Sequence, residues 1–313
     1  MVRSITSQRD AETGPTGVRP SVSVRLSGLL RIARPRQWIK NLLVFAAPGA
    51  AGVLTHGHSA LRATAAFGIF CLAASGTYFL NDTFDLAADR NHPIKRMRPI
   101  ASGEVTVPMA ISIGLALMAA GIGLAWALAG GRFALVIAIY TAVSTSYSLR
   151  LKHEPVIDLA CVSAGFVLRA IAGGVATGVP LSNWFIIVSS FGSLLVVTGK
   201  RSAEQAELGA AHRPILDAYP PQFLRSVRLL SAAVAVTAYC LWAFERSVQA
   251  APHAHHPIWF QLSIVPFVLA ILHVELRFER GMGAAPEELA LRDRVLQVLA
   301  VVWVVLFAVG VYA

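Results

Sequence analysis

Residues 60–89 read ALRATAAFGIFCLAASGTYFLNDTFDLAAD. Between Arg62 and Asp82 the stretch carries no charge, and then Asp82, Asp85 and Asp89 follow in quick succession. An uncharged run of this length spans about 30 Å of hydrocarbon. No water is present there to satisfy the backbone, so the run must be a helix. Runs of the same kind recur along the chain. They predict about nine transmembrane helices, at roughly 39–55, 60–81, 108–128, 132–148, 156–177, 183–199, 224–244, 257–274 and 294–312. The first is interrupted by Pro48, Gly49 and Gly52. Composition agrees with an all-α polytopic membrane protein. The 313 residues are 56% hydrophobic and 14% charged, with mean hydropathy +0.62, whereas a soluble domain is about 25% charged. Residues 31–313 are expected to form a single transmembrane domain. Residues 1–30 are polar, without the apolar core of a signal peptide, and are expected to be a disordered tail.

Charge predicts the orientation. With the first 40 residues in the cytoplasm and the spans alternating, 23 of the 27 Lys and Arg face inward. Only Arg62, Arg132 and Arg246 fall in outer turns, and Arg169 lies inside a span. This bias predicts a multi-pass protein of the plasma membrane with its N-terminus inside and its C-terminus outside. The net charge of +10 then belongs to one membrane face, where it attracts anionic lipid. No nucleic-acid partner is expected. Cys71, Cys161 and Cys240 all fall in apolar spans and read as small buried side chains, not as a disulfide or metal site. His253, His255 and His256 read as a solvated outer loop. The two longest inner loops follow spans two and six, a hint of internal duplication.

On a helix, Asp82, Asp85 and Asp89 fall within an arc of about 60°, and Asn81, Asp85 and Asp89 form an i, i+4, i+8 ladder. Stacked carboxylates repel unless a cation bridges them. Carboxylate oxygens completed by phosphate oxygens and water are the usual surroundings of Mg²⁺. A single acid would suffice to end a membrane helix at the interface; three on one face with an asparagine point to metal. Lys95, Arg96 and Arg98 follow directly, before Pro99, Ile100 and Gly103. Metal and cations together suit a diphosphate, the cations neutralising the phosphate oxygens that the metal does not take.

Asn-x3-Asp-x3-Asp followed by Arg-Pro-Ile-x-x-Gly resembles the first signature of the UbiA superfamily of intramembrane prenyltransferases. The resemblance runs from Arg34-Pro35 to the last span. It implies a nine-helix bundle that binds a prenyl diphosphate through Mg²⁺ on its cytoplasmic side, and it casts Asn81, Asp82, Asp85 and Asp89 as metal-binding and catalytic. Typical members carry a second Asp-rich motif after span six. Here that place reads Gly199-Lys200-Arg201-Ser202-Ala203-Glu204-Gln205-Ala206-Glu207. A cationic pair suits a phosphate bound without metal. Within the superfamily this pattern is similar to the members that move the 5-phosphoribosyl group of phosphoribosyl pyrophosphate onto a polyprenyl phosphate, feeding the arabinose donor of cell-wall arabinan. The similarity extends over Arg34–Asn41, Tyr147 with Leu151-Lys152-His153, Arg169–Thr177 and Gly199-Lys200-Arg201.

The chemistry is compatible with these residues. A phosphate monoester has a second pKa near about 6, so the acceptor needs no strong base, and catalysis is mostly positioning and charge neutralisation. Lys95, Arg98, Lys152, Lys200, Arg201 and Glu204 are the candidates for substrate contact around the phosphates. Lys40 and Asn41 are either at the cavity mouth or part of an interfacial anchor with Arg34, Arg36 and Trp38. Tyr147 is either a ligand of a phosphate or sugar oxygen or an interface anchor. Arg169 is either a cavity ligand or a residue bonded to helix carbonyls; Asp158 lies on its helical face but about 16 Å away. Lys200 and Arg201 have their own bland reading, as the positive-inside charges of span six. Two alternatives to phosphoribosyl transfer follow: a prenyltransferase with an aromatic acceptor, which the missing second Asp motif argues against, and a transporter or lipid carrier, whose site belongs near the midplane. Ala172, Gly173, Gly174 and Ala176 permit close helix packing, within the chain or in a homo-oligomer.

Overall fold

The computed structural model describes residues 22–208, 214–250, 258–283 and 286–312. Among these residues there are helices and turns but no strand. The α-helices in chain order are α1 (Val22–Ala33), α2 (Ala46–Ala50), α3 (Gly57–Phe84), α4 (Leu86–Asn91), α5 (Val107–Leu149), α6 (Ile157–Thr177), α7 (Asn183–Leu208), α8 (Pro221–Ala250), α9 (Ile258–Leu262), α10 (Ile264–Glu279), α11 (Pro286–Arg292) and α12 (Arg294–Tyr312). Seven stretches are long and apolar enough to cross a membrane, with α9 and α10 together making one of them. The chain is a multi-pass membrane protein.

One expectation about the spans is met within a single long helix, and another needs correction. α5 has 43 residues, ~64 Å of helix and about twice the hydrocarbon thickness. Ala129 (φ −145°) and Gly130 (φ 75°, ψ −169°) break it into two rods, which are the predicted third and fourth spans. The predicted first span is not a membrane α-helix. Pro35–Phe45 is a 3₁₀ helix, followed by the five-residue α2 and a 3₁₀ turn at Val53–Thr55. Pro48 offers no amide to a ladder, and Gly52 takes a left-handed φ of 74°. Eight crossing rods are therefore found among the described residues, with an irregular first segment beside them.

Gly173 explains how that segment stays in place. A Cβ at this position would lie 1.7 Å from the carbonyl oxygen of Val44. The backbone of the 3₁₀ segment thus rests directly on α6, and Ala172 and Ala176, both fully buried, flank the contact. Phe70 and Ala73 of α3, Phe133 and Ile137 of α5 and Val44 fill the core around it. At the other end of α3, α1 buries Ile32 against Phe79, Ile100 and Val105. Residues 22–30 are thus helical rather than disordered, because the apolar residues Leu29 and Ile32 give α1 a face to bury. Residues 1–21 and the histidines at 253, 255 and 256 lie outside the described residues. The three cysteines form no disulfide; Cys71 is buried as expected, whereas Cys161 and Cys240 are only half-buried.

Candidate active site

The acidic motif sits where α3 passes into α4. Asp85 (φ −83°, ψ 0°) breaks the helical dihedrals, yet its amide still donates to Asn81 O at 2.9 Å and Asp89 N still donates to Asp85 O at 2.8 Å. The ladder therefore continues through the bend and the acids remain close together. Each has a cation. Asp82, 3% exposed, accepts from Arg34 Nη2 at 2.5 Å and Arg98 Nη1 at 3.2 Å. The same Arg98 nitrogen donates to Asp89 Oδ2 at 2.8 Å. Asp85 is paired with Lys152 and accepts from Asn81 Nδ2 at 3.2 Å. Asn81 Oδ1 in turn accepts from Ser148 Oγ at 2.9 Å. Lys95 is exposed on a 3₁₀ turn, Lys95–Met97.

The four-residue metal set read from the sequence is not assembled as one cluster. Among the described residues no three His, Cys, Asp or Glu side chains converge on one ion position. Asp82 is turned to Arg34 and Arg98, and both Asp82 and Asp89 are buried. The donors that fit Mg²⁺ best are the Asp85 carboxylate, one quarter exposed, and the Asn81 amide beside it. Both are hard oxygen ligands of the kind this ion takes with phosphate oxygens.

The second half lies on α5, α6 and α7. Arg201, 3% exposed, grips Asp158, 0% exposed, through two bonds: Nε to Oδ2 at 2.7 Å and Nη2 to Oδ1 at 2.9 Å. Its Nη1 donates to Glu204 Oε2 at 2.7 Å and its Nη2 to Tyr147 OH at 3.3 Å. Tyr147 OH donates to Asp158 Oδ1 at 2.8 Å. Arg201 thus spends most of its donors inside the protein, contrary to its expected role as a direct phosphate ligand. Lys200, one third exposed, reaches Glu204 only at 3.7 Å. Tyr147 and Ser148 are consecutive on α5, and one reaches each half of the site.

Arg169 is a structural cation. Its Nε donates to Asn41 Oδ1 at 2.7 Å, its Nη1 to Gly165 O at 2.6 Å and its Nη2 to Tyr140 OH at 3.0 Å. The guanidinium also stacks near Phe70, Tyr140 and Phe166. Asn41, 1% exposed, is its partner and also donates to Cys71 Sγ. Neither lines the cavity, so the structure favours a packing role for both over substrate contact. Sequence reading missed Asp158 as the mate of Arg201. It also missed Arg228, which is 3% exposed and bonded to both oxygens of Glu275 at 2.8 Å, to Ser202 Oγ at 3.2 Å and to Glu279. These partners lie on helices other than that of the arginine they bind, at a distance no sequence spacing reveals.

A cavity of about 1710 Å³ opens beside the second half. Its lining includes Lys40, Tyr147, Lys200 and Arg201, with Glu245 and Arg246 as further charged residues, and is otherwise mostly apolar, with Phe166, Trp242, Phe267, Trp303 and Phe307. Asp85 and Lys152 are not part of its lining. One flank is formed by Leu42 and Leu43 of the 3₁₀ segment, both exposed, and by α12, which has no buried residue. The UbiA prenyltransferase family model matches residues 42–292. The chain belongs to the UbiA prenyltransferase family.

Two relatives cover most of this UbiA-family chain. A decaprenyl-phosphate phosphoribosyltransferase of Corynebacterium glutamicum is 45% identical over 91% of this chain and 87% of its own length. The enzyme of the same name from Mycolicibacterium smegmatis is 44% identical over 96% of this chain and 97% of its own. Among solved structures, a UbiA homolog from Archaeoglobus fulgidus bound to GPP and Mg²⁺ superposes with a TM-score of 0.68 at 18% identity, covering 90% of this chain and 98% of that one. This last likeness concerns the fold. Against that family background, the place expected to hold a second acidic cluster presents Lys200 to the cavity and locks Arg201 onto Asp158.

Proposed function

We propose that the chain transfers the 5-phosphoribosyl group of phosphoribosyl pyrophosphate to decaprenyl phosphate and releases pyrophosphate. A lipid phosphate oxygen forms the new bond to C1 of the ribose. The C1–O bond to pyrophosphate breaks, and the pair of electrons leaves with pyrophosphate. The observation that carries this reading is a large, mostly apolar cavity lined by Lys40, Lys200 and Arg201, beside an acidic motif that Ser148, the neighbour of the cavity residue Tyr147, reaches through Asn81. A long apolar chain with a phosphate head matches that polarity. The two relatives, similar over nearly the whole chain and named for this reaction, support the same reading.

Asn81 and Asp85 would hold Mg²⁺, whose charge would stabilise the departing pyrophosphate. The chain's own groups do the remaining work. Lys152, Lys200 and Lys40 attract phosphate oxygens. Arg34 and Arg98, anchored on Asp82 and Asp89, place further positive charge beside the motif. The apolar walls exclude water that would compete with the lipid phosphate for C1. The site faces the cytoplasm, as the charge bias implies, with residues 31–313 as one transmembrane domain in the plasma membrane. Incubation of membranes containing the protein with phosphoribosyl pyrophosphate, Mg²⁺ and decaprenyl phosphate tests the reading. Pyrophosphate should appear only when both substrates are present. Release with a prenyl diphosphate and an aromatic acceptor instead, or no release at all, would overturn it.

A further inference from the structure

Between the two halves of the site the chain makes a turn that a valine should avoid. The 3₁₀ turn Leu151–His153 carries Lys152, which pairs with Asp85. Glu154 is extended (φ −99°, ψ 116°), as the residue before a proline should be. Pro155 follows, and Ile157 N donates to Pro155 O at 2.7 Å across Val156. With φ 68° and ψ −47° at Val156, this is a γ-turn of the rare and strained hand. A positive φ is a true outlier for a β-branched side chain. Val156 is itself 54% exposed, so side-chain packing does little to keep it there. Two residues later comes Asp158, fully buried on Arg201 in the first turn of α6.

What grips the turn is the Tyr219 hydroxyl, which accepts from Val156 N at 2.9 Å. Tyr219 comes from the loop before α8, is 2% exposed and shares a buried cluster with Leu159, Val197 and Leu224. Gln205 of α7 fixes the backbone of that loop, its Nε2 donating to Tyr219 O at 2.8 Å and to Leu216 O at 2.9 Å. Strain of this kind persists only where the surroundings over-determine it, and it gathers at functional sites. Here the strained residue stands between Lys152 and Asp158, one from each half of the site. We propose that Tyr219 is a positioning residue for the transfer: through Val156 it holds the segment 152–158 in the conformation that sets Lys152 beside Asp85 and, at the same time, Asp158 on Arg201. The proposal rests on the phosphoribosyl-transfer reading of the site and deepens it with a residue outside the cavity lining.

The test is a double-mutant cycle of Tyr219→Phe and Val156→Gly in the full-length protein, reading pyrophosphate release from phosphoribosyl pyrophosphate and decaprenyl phosphate. Tyr219→Phe keeps the ring and its packing and removes only the acceptor. Its kcat/KM should fall by about two- to tenfold, the worth of one neutral hydrogen bond. Glycine takes a positive φ without strain, so Val156→Gly should stay near wild type, and adding it to Tyr219→Phe should restore most of the lost activity. A hydroxyl that merely supported the fold would not be rescued by a change in the turn. Full activity in Tyr219→Phe, or an equal loss with valine and with glycine at 156, would overturn the proposal. So would failure of Tyr219→Phe to fold in both backgrounds, whereas folding only with glycine would support it. Amide hydrogen exchange over residues 157–160 reads the same contact without turnover: Tyr219→Phe should exchange faster than wild type, and equal rates would overturn the proposal. A wild-type protein that released no pyrophosphate would overturn the underlying function instead, and exchange would still decide on Tyr219.

Discussion

Removing Arg201 should destabilise the fold more than it weakens substrate binding. Arg201 is 3% exposed and Asp158 0% exposed, and the two bonds between them are 2.7 and 2.9 Å long. Arg201→Ala leaves a carboxylate stranded among helices. Breaking a buried pair from one side is destabilising by about 3–5 kcal/mol, most of it the desolvation of the orphaned charge. Replacing both partners with apolar groups of similar volume removes that orphan, so Arg201→Met with Asp158→Leu should recover most of the lost stability. The assay is thermal unfolding in detergent, following tryptophan fluorescence, for wild type, each single variant and the double variant. Each single variant should melt several degrees lower, and the double variant should lie closer to wild type than either. If Arg201→Ala melted with the wild type and changed only the KM for a phosphorylated substrate, Arg201 would be a phosphate ligand and the paired geometry would be wrong.

Lys200→Ala should behave in the opposite way, because this lysine is a third exposed and only 3.7 Å from Glu204. Its melting point should stay within a degree or two while the KM for a phosphorylated substrate rises about tenfold or more, the worth of a charge-assisted hydrogen bond. Asp85→Asn should nearly abolish pyrophosphate release at any Mg²⁺ concentration while leaving the melting curve intact; full turnover at saturating Mg²⁺ would remove Asp85 from the metal site. Gly173→Ala should destabilise strongly, since its Cβ would lie 1.7 Å from Val44 O, and faster proteolysis of the 35–55 segment would report its release from α6. Asp293, at the start of α12, is held down to about 2 by the Leu296 backbone N–H, with His273 and Arg277 adding to this. A lowered carboxylate pKa stabilises above the ordinary value and loses that contribution as pH falls. Acidification from about pH 4 toward 2 should therefore weaken wild type more than Asp293→Asn, as measured by unfolding in detergent across that range.

The spans were readable because hydrocarbon imposes one rule on every crossing segment, and the apolar runs at 60–81 and 156–177 match α3 and α6 closely. The first segment escaped that rule. Its run is apolar enough, but Pro48 and the glycines cannot complete a ladder, and what holds it is Gly173, more than a hundred residues away. The acidic motif was readable for a similar local reason. Of the three cations that follow the three acids in sequence, Arg98 does meet them in space, bridging Asp82 and Asp89. Which acid an arginine holds and which a lysine holds was not readable, because Arg34 arrives from before α3 and Lys152 from after α5. The Asp158–Arg201 pair shows the same limit. Along its own helix Asp158 has only Arg169 as a charged companion, too far off to touch, and the true partner becomes visible only when α6 and α7 are packed together.

That pair also bears on how the chain is made. Synthesis runs from the N-terminus, so Arg169 emerges after Asn41, Phe70 and Tyr140, all of its main partners apart from those on α6 itself. α6 can shelter this cation against helices already in the bilayer. Asp158 enters on the same helix, and its mate emerges 43 residues later. Until then the carboxylate in the first turn of α6 lacks its arginine, although Tyr147 of α5 is already there to donate to it. Insertion of α6 and α7 as a hairpin would supply the mate at once, and a lengthened linker between them, at 178–182, would delay it.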